Sequence, residues 1–418
     1  MNESESKSKV LNSQQEEALK FMEDGVSIAL VSPAGTGKSF LIEHFVSRNK
    51  LCETPKNIGL TSTTGTSAIL IGGKTLHSYL GIYRGDGHIK QLLGGIRRNK
   101  AVLERWLTVD VLVIDEVSML SMELFDKLEE LARHIRATHL PFGGIQIILS
   151  GDFLQLPVIG SSHFCFEGNG WKRCVKKVFC FDEIVRQKDK LFQRCLNEVR
   201  FAKISDDVKE ILNSRIGVVL EPKNDIKPTV LYAKNCDVDS INNQELLNMK
   251  PSCIYEYSLV MKKCKKNVTM AVDKLELAID CQIMLIVNLD FDNGLVNGSR
   301  GIVVGFDDND LPIVRFLNGV VRTIDYHTWT IDDDKKCIGS ITQIPLKLCW
   351  AMTCHKSQGV SLDNVIISLE DIFSYGQAYV ALSRVRTLDG LSIIDIDYDS
   401  IKSHPKAVLF YENVKKSL

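Results

Sequence analysis

The stretch VSPAGTGKSF at 31–40 carries residue types that could hold a phosphate chain. A phosphate cradle needs inward-pointing backbone N–H groups, a helix N-terminus behind them, one lysine, and one hydroxyl for a metal ion. Pro33 has no N–H to give, so the donors must come from Ala34, Gly35, Thr36 and Gly37, where the two glycines let the backbone turn and approach an anion. Lys38 follows in position to reach β- and γ-phosphates, and Ser39 in position to hold Mg2+. The first glycine of the usual G-x-x-x-x-G-K-[ST] pattern is missing. Ser32 stands in its place, at the exit of the apolar run VSIALV, where it is least involved in cradling. Taken alone, the loop has a rival reading as a glycine turn between a strand and a helix.

A second stretch, VLVIDEVSML at 111–120, supplies the missing chemistry. Four apolar residues running into two acids are how a buried parallel strand delivers carboxylates to the C-terminal edge of a sheet, where α/β folds bind ligands. Asp115 is placed for the Mg2+ shell, and Glu116 to orient and deprotonate water. A solvent-exposed strand exit is the bland alternative, and the phosphate loop argues against it.

The elements that must position these groups read as α/β. NIGLTSTT, VLVIDE and IQIILSGD are strand candidates ending in polar residues, and amphipathic helical stretches alternate with them from residue 10 to about 185. RGDGHIKQLLGGIRRNK (84–100) breaks that rhythm with four glycines and six basic or imidazole residues, and reads as a small protruding insertion at about 83–105. A second α/β region spans about 186–250 and 340–418. Between its two parts, residues 250–345 carry turn signals (DNG, VNGSRG, DDND, LNG) among short Val/Ile runs, as a small barrel would. The nine N-terminal residues MNESESKSK are polar and read as a mobile start.

Composition bounds the partners. The 418 residues leave room for roughly two to four domains. A formal net charge of −1 gives no global basic field, so any nucleic acid must be held by a local groove. The 12 cysteines lack a C-x-x-C pair, which suits reduced thiols inside a cell (cytoplasm, nucleus or a viral replication site) rather than a disulfide framework. His163, Cys165, Cys174 and Cys180 fit no usual zinc spacing. No signal peptide and no run of about 18 apolar residues is present, so neither secretion nor a membrane is expected.

Taken in order, ten motifs resemble those of superfamily 1B DNA helicases of the Pif (petite integration frequency) type, relatives of the RecD-like helicases: LNSQQEEAL (11–19), the loop at 32–39, TSTTGTSA (61–68), GGKTLHSYLGI (72–82), VIDEVSM (113–119), GDFLQLP (151–157), VRQ (185–187), GLVNGSRGIVVGF (294–306), CHKSQGVSLD (354–363) and YVALSRVRTLDGL (379–391). The resemblance covers nearly the whole chain. LFDKLEELARHIRATHLPFGGIQ (124–146) resembles the signature helix of this branch, although Leu124, Leu128, Leu131 and Ile135 are also spaced for simple core packing.

The resemblance implies two RecA-like P-loop NTPase domains, a small inserted wedge and an SH3-like barrel. It implies ATP and Mg2+ as cofactors, single-stranded and duplex or forked DNA as partners, 5′-to-3′ movement with unwinding, a monomer when free, and work in replication, repair or recombination beside other proteins. Carried over by position, Gln15 would read adenine, Gln155 would sense the γ-phosphate, and Arg186 and Arg384 would be arginine fingers. Thr63, Thr64, Thr75, His77, His355, Lys356 and Ser357 would contact the strand. Plainer roles stay open: a helix cap for Gln15, a surface ion pair for Arg384, core packing for His355. KKCKK (262–266) reads either as a phosphate contact or as a solvated turn. Two departures touch loop geometry only, Ser32 and the Val158 that follows Pro157 where relatives often have a second proline. The lack of a long N-terminal extension points to a compact prokaryotic, viral or organellar core. An RNA-directed or dual helicase, and a DNA-binding module with weak ATPase, are the competing functions. Intact Lys38, Asp115, Glu116, Arg186 and Arg384 argue against the second.

Overall fold

The computed structural model describes residues 11–417 apart from 83–84, 159, 188, 233–237, 263–270, 291–292, 334–335, 355–356, 359 and 371. Its first half is built on six parallel strands: β1 (Ile28–Val31), β2 (Ile58–Ser62), β3 (Lys74–Thr75), β4 (Val111–Asp115), β5 (Gln146–Gly151) and β6 (Lys177–Phe179), in the spatial order β3-β2-β4-β5-β1-β6. The central strands β1, β4 and β5 are buried along their whole length, because helices cover both faces of the sheet. On one face lie α1 (Ser13–Glu23) and α2 (Lys38–Lys50). The other face packs on helices Ile89–Arg98, Lys100–Thr108 and Met122–Arg136.

The segment expected to protrude is thus a pair of helices anchored in the first core. Leu92, Ile96, Val102 and Trp106 face inward, Asn99 caps the second helix, and the Trp106 indole donates to the Leu80 carbonyl at 3.0 Å. In the helix Met122–Arg136 the inward stripe is Phe125, Leu128, Leu131 and Ala132, with Leu124 and Ile135 at its margins. The expected positions Leu124, Leu128, Leu131 and Ile135 all pack on this core, Phe125 and Ala132 widen the stripe, and the following turn folds back onto the helix. Phe142 of that turn packs on Phe125 at 5.6 Å, and its N–H donates to the Glu129 carboxylate.

The second half holds four parallel strands in the order Ala351–Thr353, Thr229–Tyr232, Val365–Leu369, Leu391–Ile396. Helices Lys190–Phe201, Asp206–Asn213 and Gln377–Leu382 share its core. Between its first and second strands in chain order lies a β-rich insertion. A five-stranded antiparallel sheet (282–285, 300–306, 312–316, 321–323 and 346–348) shares one apolar cluster with the antiparallel strand pair Tyr255–Ser258 and Lys274–Leu277. The last helix, Pro405–Ser417, returns to the first half and buries Ala407, Tyr411 and Val414 in the first core. Nine of the cysteines, Cys165 and Cys174 of the core among them, are free thiols. Among the described residues no helix is long and apolar enough to cross a membrane.

Candidate active site

The phosphate loop leaves β1 and enters α2 through two left-handed glycines, Gly35 (φ 81°) and Gly37 (φ 82°). Both are also crowded. A Cβ on Gly35 would stand 2.6 Å from Arg186 Cβ, and one on Gly37 2.7 Å from Gln15 Nε2, so glycine is required by conformation and by close approach. Ser32 needs neither freedom. It is fully buried, its N–H extends the β1–β5 ladder to the Gly151 carbonyl (3.1 Å), and its hydroxyl accepts from Phe181 N–H at 2.7 Å. The residue in the place of the missing glycine is therefore a tether for the chain that crosses to the second half.

A cavity of about 520 Å³ opens over this loop. Gln15, Lys38 and Ser39 line it from α1 and α2, Asp115, Glu116, Gly151 and Gln155 from the C-terminal ends of β4 and β5, and Arg186 and Arg384 from beyond the first sheet. Gln15 takes the plainer of its two candidate roles, the helix cap, while also lining the cavity. It completes the capping box of α1 with Asn12, and its amide donates to the Thr36 carbonyl at 3.1 Å. Lys38 Nζ donates to the Ser32 (2.7 Å) and Pro33 (2.8 Å) carbonyls. Burial lowers its pKa, against the pull of Asp152, Glu116 and Asp115.

The carboxylates are held at fixed angles. Asp115 accepts from Ser67 Oγ at 2.6 Å. Glu116 sits in the left-handed region (φ 55°), and Thr63 Oγ1 secures its carbonyl at 2.7 Å. Its carboxylate accepts from Gln358 at 3.0 Å. Burial and the neighbouring Asp115 push the Glu116 pKa up to about 7, against Arg384, Lys38 and the Gln358 bond, which suits a group that takes a proton from water. Gln358 also approaches Gln155 Oε1 at 3.5 Å.

The arginines arrive by different routes. Arg186 is set by the phosphate loop itself, since the Gly35 carbonyl accepts from Val185 N–H (2.8 Å) and Arg186 N–H (3.1 Å). Its pKa is lowered to about 10 by burial and by Arg384. Arg384 is buried, and its described hydrogen bonds go to neutral acceptors: the Val380 carbonyl (2.9 Å), Ser383 Oγ (2.8 Å), and the Ser357 and Val360 carbonyls at 3.5 Å. The surface ion pair weighed for it is not among the described contacts.

The strand candidates are more dispersed. Thr63 and Thr64 follow β2, where Thr64 Oγ1 accepts from Ser67 N–H. Thr75 caps the short helix that contains His77, accepting from Ser78 N–H at 3.4 Å. Ser357 is fully buried and its hydroxyl donates to the Cys354 carbonyl at 2.7 Å, so a phosphate contact from that hydroxyl requires its surroundings to move. His355, Lys356 and most of KKCKK lie outside the described residues.

A glycine-built loop with a lysine, a pair of acids and two arginines around one cavity is an arrangement suited to a phosphate chain. The profile of the PIF1-like helicase family matches residues 4–219, and that of the Pif1 2B domain residues 266–306. The chain belongs to the PIF1-like helicase family. It is 38% identical to the ATP-dependent DNA helicase PIF1 of Xenopus laevis over 97% of its length, and 37% identical to protein 030L of Invertebrate iridescent virus 6, also over 97%. It spans 94% of the viral protein but only 65% of the Xenopus one. Among solved structures, the Pif1 helicase of Candida albicans superposes with a TM-score of 0.84 at 34% identity, covering 97% of this chain and 99% of that one. A Bacteroides Pif1 bound to single-stranded DNA superposes at 0.70 with 28% identity, covering 98% and 97%. This family's fold, parallel sheets flanked by helices, is the one expected from the sequence.

Four participants had no role assigned from sequence although all lie in quoted motifs: Ser67 on Asp115, Gln358 on Glu116, Tyr379, whose hydroxyl accepts from Ala34 N–H at 2.9 Å, and Asp152. Each acts on a neighbour rather than on a ligand, and motif spacing carries no signal for that.

Proposed function

We propose that the chain hydrolyses ATP and uses the energy to move 5′-to-3′ along single-stranded DNA and unwind duplex or forked DNA, in replication, repair or recombination. The observation that carries this reading is that Arg186 and Arg384, from the connection and the second half, line the same cavity as the Lys38 loop and the Asp115–Glu116 pair. A site completed by both halves links phosphate chemistry to their relative position, and that relative position can grip a polymer.

The residues fit the groups they would hold. Gly35 to Ser39 would supply the cradle, Ala34 N–H being taken by the Tyr379 hydroxyl, Gln15 would meet the base, and the cavity is large enough for a nucleotide. Ser39 and Asp115 would hold Mg2+, which neutralises charge on the β- and γ-phosphates. Glu116 orients water and takes its proton, Gln155 senses the γ-phosphate, and Lys38, Arg186 and Arg384 offset the charge that develops there. Thr63, Thr64, Thr75, His77, His355, Lys356 and Ser357 would line the strand's path, with the helix pair at 89–108 or the β-rich insertion near the fork. The Bacteroides Pif1 structure with single-stranded DNA supports that polymer for this chain.

An assay of ATP hydrolysis alone, with single-stranded DNA and with single-stranded RNA, combined with unwinding of 5′-tailed, 3′-tailed and quadruplex substrates, tests the reading. DNA stimulation and unwinding restricted to 5′ tails are expected. Stimulation by RNA alone, or unwinding of 3′ tails only, would overturn it.

A further inference from the structure

Gly151 and Gln155 both line the nucleotide cavity, yet Asp152 between them turns away from it. Its carboxylate is fully buried and receives a bidentate Arg200 guanidinium (2.8 and 2.9 Å), the Tyr411 hydroxyl (2.9 Å) and Leu154 N–H (3.1 Å). Tyr411 closes the circuit by accepting from Phe153 N–H at 3.2 Å. The tyrosine comes from the last helix, 259 residues further along the chain, and its ring stacks against the Arg200 guanidinium, 4.4 Å from ring centre to carbon. Burial raises the cost of ionising Asp152, but Arg200, Lys38 and the Leu154 N–H hold its pKa below the usual carboxylate range. The acid is therefore a fixed anion.

The backbone that this anion fixes is the one that carries Gln155. Gln155 N–H donates to the Asp152 carbonyl at 3.0 Å. From the other side, Gly376 of the second half approaches so closely that a Cβ there would stand 2.5 Å from the Leu154 carbonyl oxygen and 2.6 Å from that of Gln155. The loop 152–155 is thus clamped between the last helix and the second half. A hydroxyl that serves one N–H and one carboxylate of so short a loop sets where its last side chain stands.

We propose that Tyr411 is a positioning residue for ATP hydrolysis, acting through Asp152 and the loop backbone on Gln155. This rests on the proposed ATPase activity and adds to it that the final helix, which lies outside every quoted motif and 259 residues from Asp152, tunes the hydrolytic step. Tyr411→Phe keeps the ring, its packing and its stacking on Arg200, and removes only the hydroxyl. Phe153 N–H and one Asp152 oxygen each lose a partner.

The test is a double-mutant cycle in DNA-stimulated ATP hydrolysis, with wild type, Tyr411→Phe, Gln155→Ala and the double variant. Loss of one such hydroxyl should lower kcat roughly 2- to 10-fold, leave KM for ATP within a factor of about two, and have no further effect on kcat in the Gln155→Ala background. An unchanged kcat in Tyr411→Phe, or an equal fall with and without Gln155, would overturn the proposal, the latter by showing a general structural role. If wild type itself hydrolysed no ATP, the underlying reading would fail, and this one with it. An active wild type matched by Tyr411→Phe would sink the positioning role alone.

Discussion

The nucleotide cavity and the expected path of the strand are built on opposite plans. Around the cavity, side chains are held by other side chains and by backbone that admits few alternatives: glycines at φ 81° and 82°, Ser67 on Asp115, Gln358 on Glu116. Along the strand path, hydroxyls are taken up by the helices that present them, as Thr75 is by Ser78 N–H and Thr64 by Ser67 N–H. The lesson is that the groups around the cavity are held in place before any ligand arrives, whereas the Thr64 and Thr75 hydroxyls proposed to meet a strand are already engaged by the helices they begin.

Several substitutions would break or sharpen that contrast. Lys38→Ala removes the loop's cation and should abolish turnover, because electrostatic groups of this kind are worth roughly 2.7 to 4 kcal/mol or more. A steady-state rate near wild type would mean the loop is not the site. Thr75→Ala should cost about 1 kcal/mol of stability through the lost cap and weaken single-stranded DNA binding at the same time, while Thr75→Ser should restore both. Thermal melts and titrations on the same samples check this. A melting shift with unaltered DNA affinity would reduce Thr75 to a cap. The smallest effect is expected at Ser32→Gly. Turnover should hold, since Ser32 touches the cradle only through its backbone, but stability should fall by about 1 kcal/mol or more as buried Phe181 N–H loses its acceptor. A large fall in turnover would show that the hydroxyl matters to the chemistry.

The same contrast explains what could be read from the sequence. Lys38, Ser39, Asp115 and Glu116 were legible because strand-to-loop transitions and glycine placement are local, and the two parallel sheets because their apolar runs are short and bounded. Gln155, Arg186 and Arg384 became legible only through the family motifs, and the cavity joins them to the loop. The inward face of the helix Met122–Arg136 was legible at Leu124, Leu128, Leu131 and Ile135, but Phe125 was not, because Phe142 returns onto it through a tertiary contact. The helix pair at 89–108 was obscured by Gly94 and Gly95, which read as breakers, while Trp106, its anchor, lies beyond the glycine-rich stretch. Tyr411 carried no signal at all. Its role exists only because the last helix crosses back to the first half, and a sequence pattern cannot display a contact with a residue 259 positions earlier.

The central claim is that both halves complete one site and that DNA favours their completed arrangement. A ligand shifts such an equilibrium only by contacting the favoured state better, so basal hydrolysis should be slow and single-stranded DNA should raise it strongly. The most direct measurement is DNA-stimulated ATP turnover by Arg384→Ala, with ATP and DNA binding measured on the same protein. The account predicts that both ligands still bind while most of the stimulation disappears, an arginine in this role being worth on the order of 10³ to 10⁵ in rate. Full DNA-stimulated turnover without Arg384, or a wild-type rate indifferent to DNA, would contradict it.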